Sequence, residues 1–118
     1  MAQSQPTLVV ISEDPRVSHR ANEAMRIALG VVAGENVVDI VLTGPAAHLL
    51  DEDTDDLVDG DDIIKYRAAL KKLGISFHVE SSAVPEGPGW NAEGHAVLPT
   101  TPEGIAALVA RASRFIIF

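Results

Sequence analysis

Val37-Val-Asp-Ile-Val-Leu42 is an apolar run broken only by Asp39. A strand that meets water on one face alternates apolar and polar residues. A run that does not alternate is expected of a strand covered on both faces, as in a parallel sheet flanked by helices. On the amino side, Thr7-Leu-Val-Val-Ile11 follows a Pro and has the same β-branched character, so it reads as a buried first strand. Between the two runs, Val17, Ala21, Ala24, Met25, Ala28, Leu29 and Val32 recur at three- and four-residue spacing. That spacing is one face of a helix. Asp14-Pro15 suits its N-cap and first position, and Gly34 and Asn36 suit its end.

On the carboxyl side, Gly44-Pro45 breaks the strand and Ala46–Leu50 forms one helical turn. Ile63, Tyr66, Leu70 and Leu73 then mark a second helix, begun by Asp61 or Asp62 and stopped by Gly74. Ile75–Val79 is the third strand, and it delivers Glu80 to its own end. Ser81–Gly94 holds three Gly and two Pro and reads as a long irregular loop. Ala96–Leu98 is a short fourth strand. Thr100-Thr-Pro-Glu103 has the spacing of a capping box at a helix start, and Ile105, Leu108, Val109 and Ala112 form that helix's buried face. Arg114–Phe118 closes the sheet. Strand and helix alternate throughout, which requires parallel strands joined by right-handed crossovers. The expectation is one α/β domain over residues 1–118: a three-layer α/β/α arrangement with a mainly parallel sheet of four to five strands.

Composition narrows the function. A chain of 118 residues with 47% hydrophobic and 22% charged residues is globular, not disordered. No apolar run approaches the roughly 20 residues that span a bilayer. The amino-terminal Met-Ala-Gln-Ser-Gln-Pro lacks the basic start of a signal peptide, so no membrane association and a cytoplasmic location are expected. A net charge of −8 argues against nucleic acid as a partner, because phosphate binding needs a basic footprint. With no cysteine, disulfides, thiolate metal sites, persulfides and thiol nucleophiles are all excluded.

Ligands of open α/β sheets gather at the carboxyl ends of the strands, which makes Glu80 the leading candidate. His78 lies two residues earlier on the same strand face, and Ser81 and Ser82 follow. These residues outline a polar pocket in which Glu80 serves as base or acceptor, in a depression walled by the Ser81–Gly94 loop. The bland reading is that Glu80 bonds loop amides and caps its strand. His19, His48, His78 and His95 have no close metal spacing. His78, Glu80 and His95 together offer a facial triad only if the fold gathers them, and no metal or other cofactor is expected. Eight of the 17 acidic residues lie between Asp51 and Asp62. That stretch has Asp at relative positions one, three and five, as a calcium loop does. It carries Asp56 where such a loop needs Gly and Asp62 where it needs Glu, so an exposed acidic segment is expected instead. Glu13-Asp14 after the first strand is similar to the acidic pair of receiver domains, with Thr100 at the switch hydroxyl. The Lys those domains carry after their last strand is missing. Phosphate-loop signatures are absent. Trp90, the sole tryptophan, lies in the loop and suits a subunit contact.

The order and spacing of several segments also carry a family resemblance. Ala24-Met-Arg-Ile-Ala-Leu-Gly30, Asp39-Ile-Val-Leu-Thr-Gly-Pro45, Leu70-Lys-Lys-Leu-Gly-Ile-Ser-Phe-His-Val79 and Gly104-Ile-Ala-Ala-Leu-Val-Ala-Arg-Ala-Ser-Arg-Phe-Ile-Ile-Phe118 resemble the DsrE/DsrF/TusD-like sulfur-relay proteins over nearly the whole chain. The resemblance implies a flavodoxin-like fold. It also implies assembly into a homo-oligomer, or a hetero-oligomer with related subunits, with the loop after the third strand near a subunit boundary. Active members of that family accept a persulfide sulfur on a cysteine at the end of the third strand, and Glu80 stands at the matching position. The implied function is therefore an oligomeric structural or binding subunit, linked to sulfur metabolism, without sulfurtransferase activity of its own. The alternative is a small-ligand binder or enzyme using Glu80 and His78, with Glu13 from the first strand's end nearby.

Overall fold

Five short apolar runs form one parallel sheet in a computed structural model, which describes residues 6–34 and 37–118. The strands are β1 (Thr7–Ile11), β2 (Val38–Leu42), β3 (Phe77–Glu80), β4 (Val97–Thr100) and β5 (Arg114–Ile117), in the order β4-β3-β2-β1-β5. Every neighbouring pair is parallel, as the unalternating β2 run predicted. The helices are α1 (Arg20–Ala33), α2 (Gly60–Lys72) and α3 (Pro102–Arg111).

The two faces of the sheet are covered unequally. Val9, Ile11, Ile40, Leu42, Phe77 and Val79 point into the main core with Ala24, Met25 and Ala28 of α1 and Ile63 and Leu70 of α2. The opposite face has a small core of Leu8, Val41 and Leu108, with α3 as its only helix among the described residues. That face leaves Phe115, Ile117 and Leu98 about half exposed and Val109 of α3 38% exposed. One ten-residue helix cannot shield five strands that lie roughly 4.8 Å apart.

The link from β3 to β4 contains no α-helix. It begins as a 3-10 turn at Ser81–Ala83 and is then laced to the 3-10 helix Gly44–Leu50 on the main-core face. Asp51 and Trp90 form an isolated antiparallel bridge. Around it, the Glu52 amide donates to the Gly89 carbonyl at 2.7 Å and the Asn91 amide to the Leu50 carbonyl at 2.8 Å. The Trp90 indole N–H donates to the Ala47 carbonyl at 2.7 Å. Backbone pairing between distant segments thus replaces the usual helix.

Several boundaries differ from the expectations, each for a local reason. Asp14 does not cap α1. Its carboxylate accepts from the Arg16 amide and side chain, closing a turn that delays the helix to Arg20 and leaves Val17 78% exposed. Asn36 lies outside the described residues. Thr100 belongs to β4, so the cap of α3 is Thr101, whose hydroxyl accepts from the Gly104 amide at 3.1 Å. The predicted stop of α2 stands: Gly74 is left-handed at φ 74°. Its amide reaches Lys71 while the Ile75 amide reaches Leu70, the paired bonds of a Schellman terminus. Ile75 and Ser76 are used up in leaving that terminus, so β3 starts at Phe77. The acidic stretch is anchored by buried Leu57 while its carboxylates face solvent or lie half-exposed.

Candidate functional site

Period-two alternation on β3 sends Phe77 and Val79 into the main core and His78 and Glu80 to the α3 face. The last strand residue, Glu80, stands beside Thr100 of β4 in register. Its Oε1 accepts the Gly44 amide at 3.0 Å. Gly44 is left-handed at φ 53°, a conformation that glycine adopts without steric cost. The carboxylate therefore ties the end of β3 to the turn that leaves β2. Ser81 and Ser82 are exposed in the turn that follows.

His78 is held at the centre of the α3 face by a residue that the sequence reading passed over. Asp39 of β2 lies 3.6 Å from His78 Nε2 through Oδ1, a contact too long for a hydrogen bond. Its Oδ2 accepts from Arg111 of α3 at 2.8 Å. The Asp39 side chain is only 13% exposed. The signal was present in the sequence: Asp39 is the one charged residue in the run Val37–Leu42, and a carboxylate there requires partners. Asp39, His78 and Arg111 make a compact ionisable group beside the uncovered part of the sheet.

Glu13 lies half-buried just after β1, at the same carboxyl edge of the sheet as Glu80. The strand order reverses between β1 and β5, and that reversal is where open α/β sheets form their crevice. Glu13 thus sits at the topological switch point, while Glu80 lies two strands away. His95 does not join His78 and Glu80. It is buried on the main-core face, edge-on to Phe77 with ring centroids 6.1 Å apart, and its Nε2 meets Glu93 at 3.0 Å. The triad of His78, Glu80 and His95 is divided between the two sides of the sheet.

Glu93 belongs to a second polar cluster that the sequence reading missed. Arg67 of α2 is 1% exposed and makes a two-pronged contact with the Glu93 carboxylate at 3.0 and 3.1 Å. The same guanidinium donates to the Leu49 and Asp51 carbonyls at 3.0 and 2.8 Å. Burial pushes the Glu93 carboxyl up, but the hydrogen bonds from Arg67 and His95 outweigh it and hold the group below its ordinary range. This cluster fastens α2, the 3-10 helix and the β3–β4 link together. The Ser81–Gly94 loop itself walls a cavity of about 300 Å³ with His48, Asp51, Glu86 and Trp90 among its lining; Glu80 is not part of that lining.

No helix among the described residues is long and apolar enough to cross a membrane. No protein-family model matches the sequence, and no curated protein is significantly similar to it. Among solved structures, the chain is similar to the ychN protein from E. coli, with a TM-score of 0.74 over 97% of this chain and 99% of that one. The identity is 15%, so the likeness shows a shared fold, the α/β architecture with a parallel sheet that was expected from the sequence.

Proposed function

We propose that this protein is a DsrE-like oligomeric subunit, structural or binding in role, that acts in the cytoplasm beside partners of sulfur metabolism and transfers no persulfide itself. Glu80 carries the reading. It stands at the carboxyl end of β3, the place where the resemblance puts a sulfur-accepting cysteine, and its carboxylate accepts a backbone amide. A carboxylate has no sulfur nucleophile, and no thiol occurs elsewhere in the chain. The half-exposed Phe115, Ile117 and Leu98 on the thinly covered face support association with another subunit.

Glu80→Cys tests the site. The variant is expected to fold, because Glu80 is half-buried and contributes one side-chain bond, and its thiol is expected to alkylate readily. Wild type should accept no sulfane sulfur from a polysulfide donor. A folded variant whose thiol resists alkylation would make the position purely structural and end the analogy. Light scattering of wild type at micromolar concentration should give at least a dimer, and a mass near 12.5 kDa would count against the subunit role. The second reading, a small-ligand binder using Glu80 and His78, is favoured by the Asp39 carboxylate beside His78.

A further inference from the structure

We infer that the outer edge of β5 is a homodimer interface, at which two copies pair antiparallel and join their sheets into one. The inference rests on the subunit reading above and names the surface through which it operates.

The Phe118 amide donates to the Val10 carbonyl and the Phe118 carbonyl accepts from the Ser12 amide. With the parallel register Thr7↔Arg114 to Val10↔Ile117, alternate residues Arg114, Ile116 and Phe118 turn their peptide groups toward β1. The N–H and C=O groups of Phe115 and Ile117 therefore face outward, and no strand among the described residues lies beyond them. Their side chains are 53% and 62% exposed. An open apolar edge of this kind is a template for strand pairing.

The opposite edge of the sheet is blunted. The Phe77 amide donates to the Ala96 carbonyl, so by the same alternation Val97 and Pro99 face away from β3. Pro99 lacks the N–H that a pairing strand would need. The edge of β5 has no such protection.

The occupant follows from self-complementarity. A two-fold axis through Ile116 sets Phe115 of one copy opposite Ile117 of the other, and both residues present the outward groups that antiparallel partners exchange. Each such pair makes two bonds and the axis generates a second pair. The cross-strand neighbours are aromatic against β-branched on the α3 face, a favourable combination. Charge agrees: of the 17 acidic residues none lies on β5, and the two Arg114 side chains fall at opposite ends of the ribbon.

Ile116→Cys provides the test. In this register the two introduced thiols form a directly opposed non-hydrogen-bonded pair with Cα atoms about 4.5 Å apart, within disulfide range. In a chain otherwise without cysteine, mild oxidation at micromolar concentration should yield a cross-linked dimer at least about tenfold faster than it does for Val109→Cys, a control on the exposed side of α3. Ile117→Pro removes only an outward N–H and should give a folded monomer. Hydrogen exchange on wild type is a third readout, independent of any substitution, with the Phe115 and Ile117 amides expected to be slow. Equal cross-linking of the two cysteine variants, or rapid exchange at Phe115 and Ile117 in an oligomer, would overturn this interface and leave the subunit reading standing. A monomeric wild type would overturn this interface and count against the subunit reading.

Discussion

Arg67→Met should lower the unfolding free energy by about 3–5 kcal/mol, since buried partners left without their donor cost ~1–3 kcal/mol each. Methionine fills much of the same volume but donates nothing. The Leu49 and Asp51 carbonyls and the Glu93 carboxylate would all lose the guanidinium that serves them. A chain of this size has roughly 6–15 kcal/mol in total, so the variant should melt roughly 12–20 °C below wild type. A loss under about 1 kcal/mol would show that water replaces the guanidinium.

The same cluster predicts a signature at low pH. The folded-state carboxyl of Glu93 lies below its ordinary value of 4.5. Its contribution is therefore complete above that value and disappears as the pH falls through the folded one. Wild type and Glu93→Gln should differ at neutral pH and converge as the pH falls below 4.5 and through the lowered folded value. The Glu93 side chain is 43% exposed, so salt should shrink the difference. Curves that stay parallel down to pH 3 would mean that the Arg67–Glu93 contact is electrostatically silent.

Phe77→Ala should cost about 3–5 kcal/mol, the usual range for emptying a buried aromatic site. Phe77 is completely buried and lies at the start of β3, paired in register with both Ile40 and Val97. The cavity would also remove the edge-to-face partner of His95, whose Nδ1 has no hydrogen-bond partner among the described residues. Phe77→Leu, which keeps much of the volume, should cost less than about 2 kcal/mol. Urea denaturation of both variants checks the pair. Equal losses would mean that the ring's edge contact outweighs its volume.

The parts of this fold written in apolar runs were legible before any coordinates. Val37–Leu42 and Thr7–Ile11 lie where they were expected, and the strand–helix alternation produced an all-parallel sheet. The misjudged boundaries depend on which polar group bonds a nearby amide. Asp14 has the residue type of an N-cap, but Arg16 draws it into a turn of its own, and periodicity does not register that competition. The end of β3 was legible as a position, and Glu80 was found on that ground. Its Gly44 partner is 36 residues away in sequence, and Arg111 is 72 from Asp39. Spacing within one segment cannot reveal pairs that only the folded chain brings together. The Asp51–Trp90 bridge was hidden for the same reason.

That bridge gives the molecule an optical handle. Trp90 is the only indole in the chain, its N–H rests on the Ala47 carbonyl, and its ring packs at the margin of the main core. Fluorescence therefore reports whether the β3–β4 link is latched, while far-ultraviolet dichroism reports the helices. If the link peels away before the sheet melts, emission shifts to the red at a lower urea concentration than the one at which helicity falls. The chain would then reveal a local opening step without any attached label.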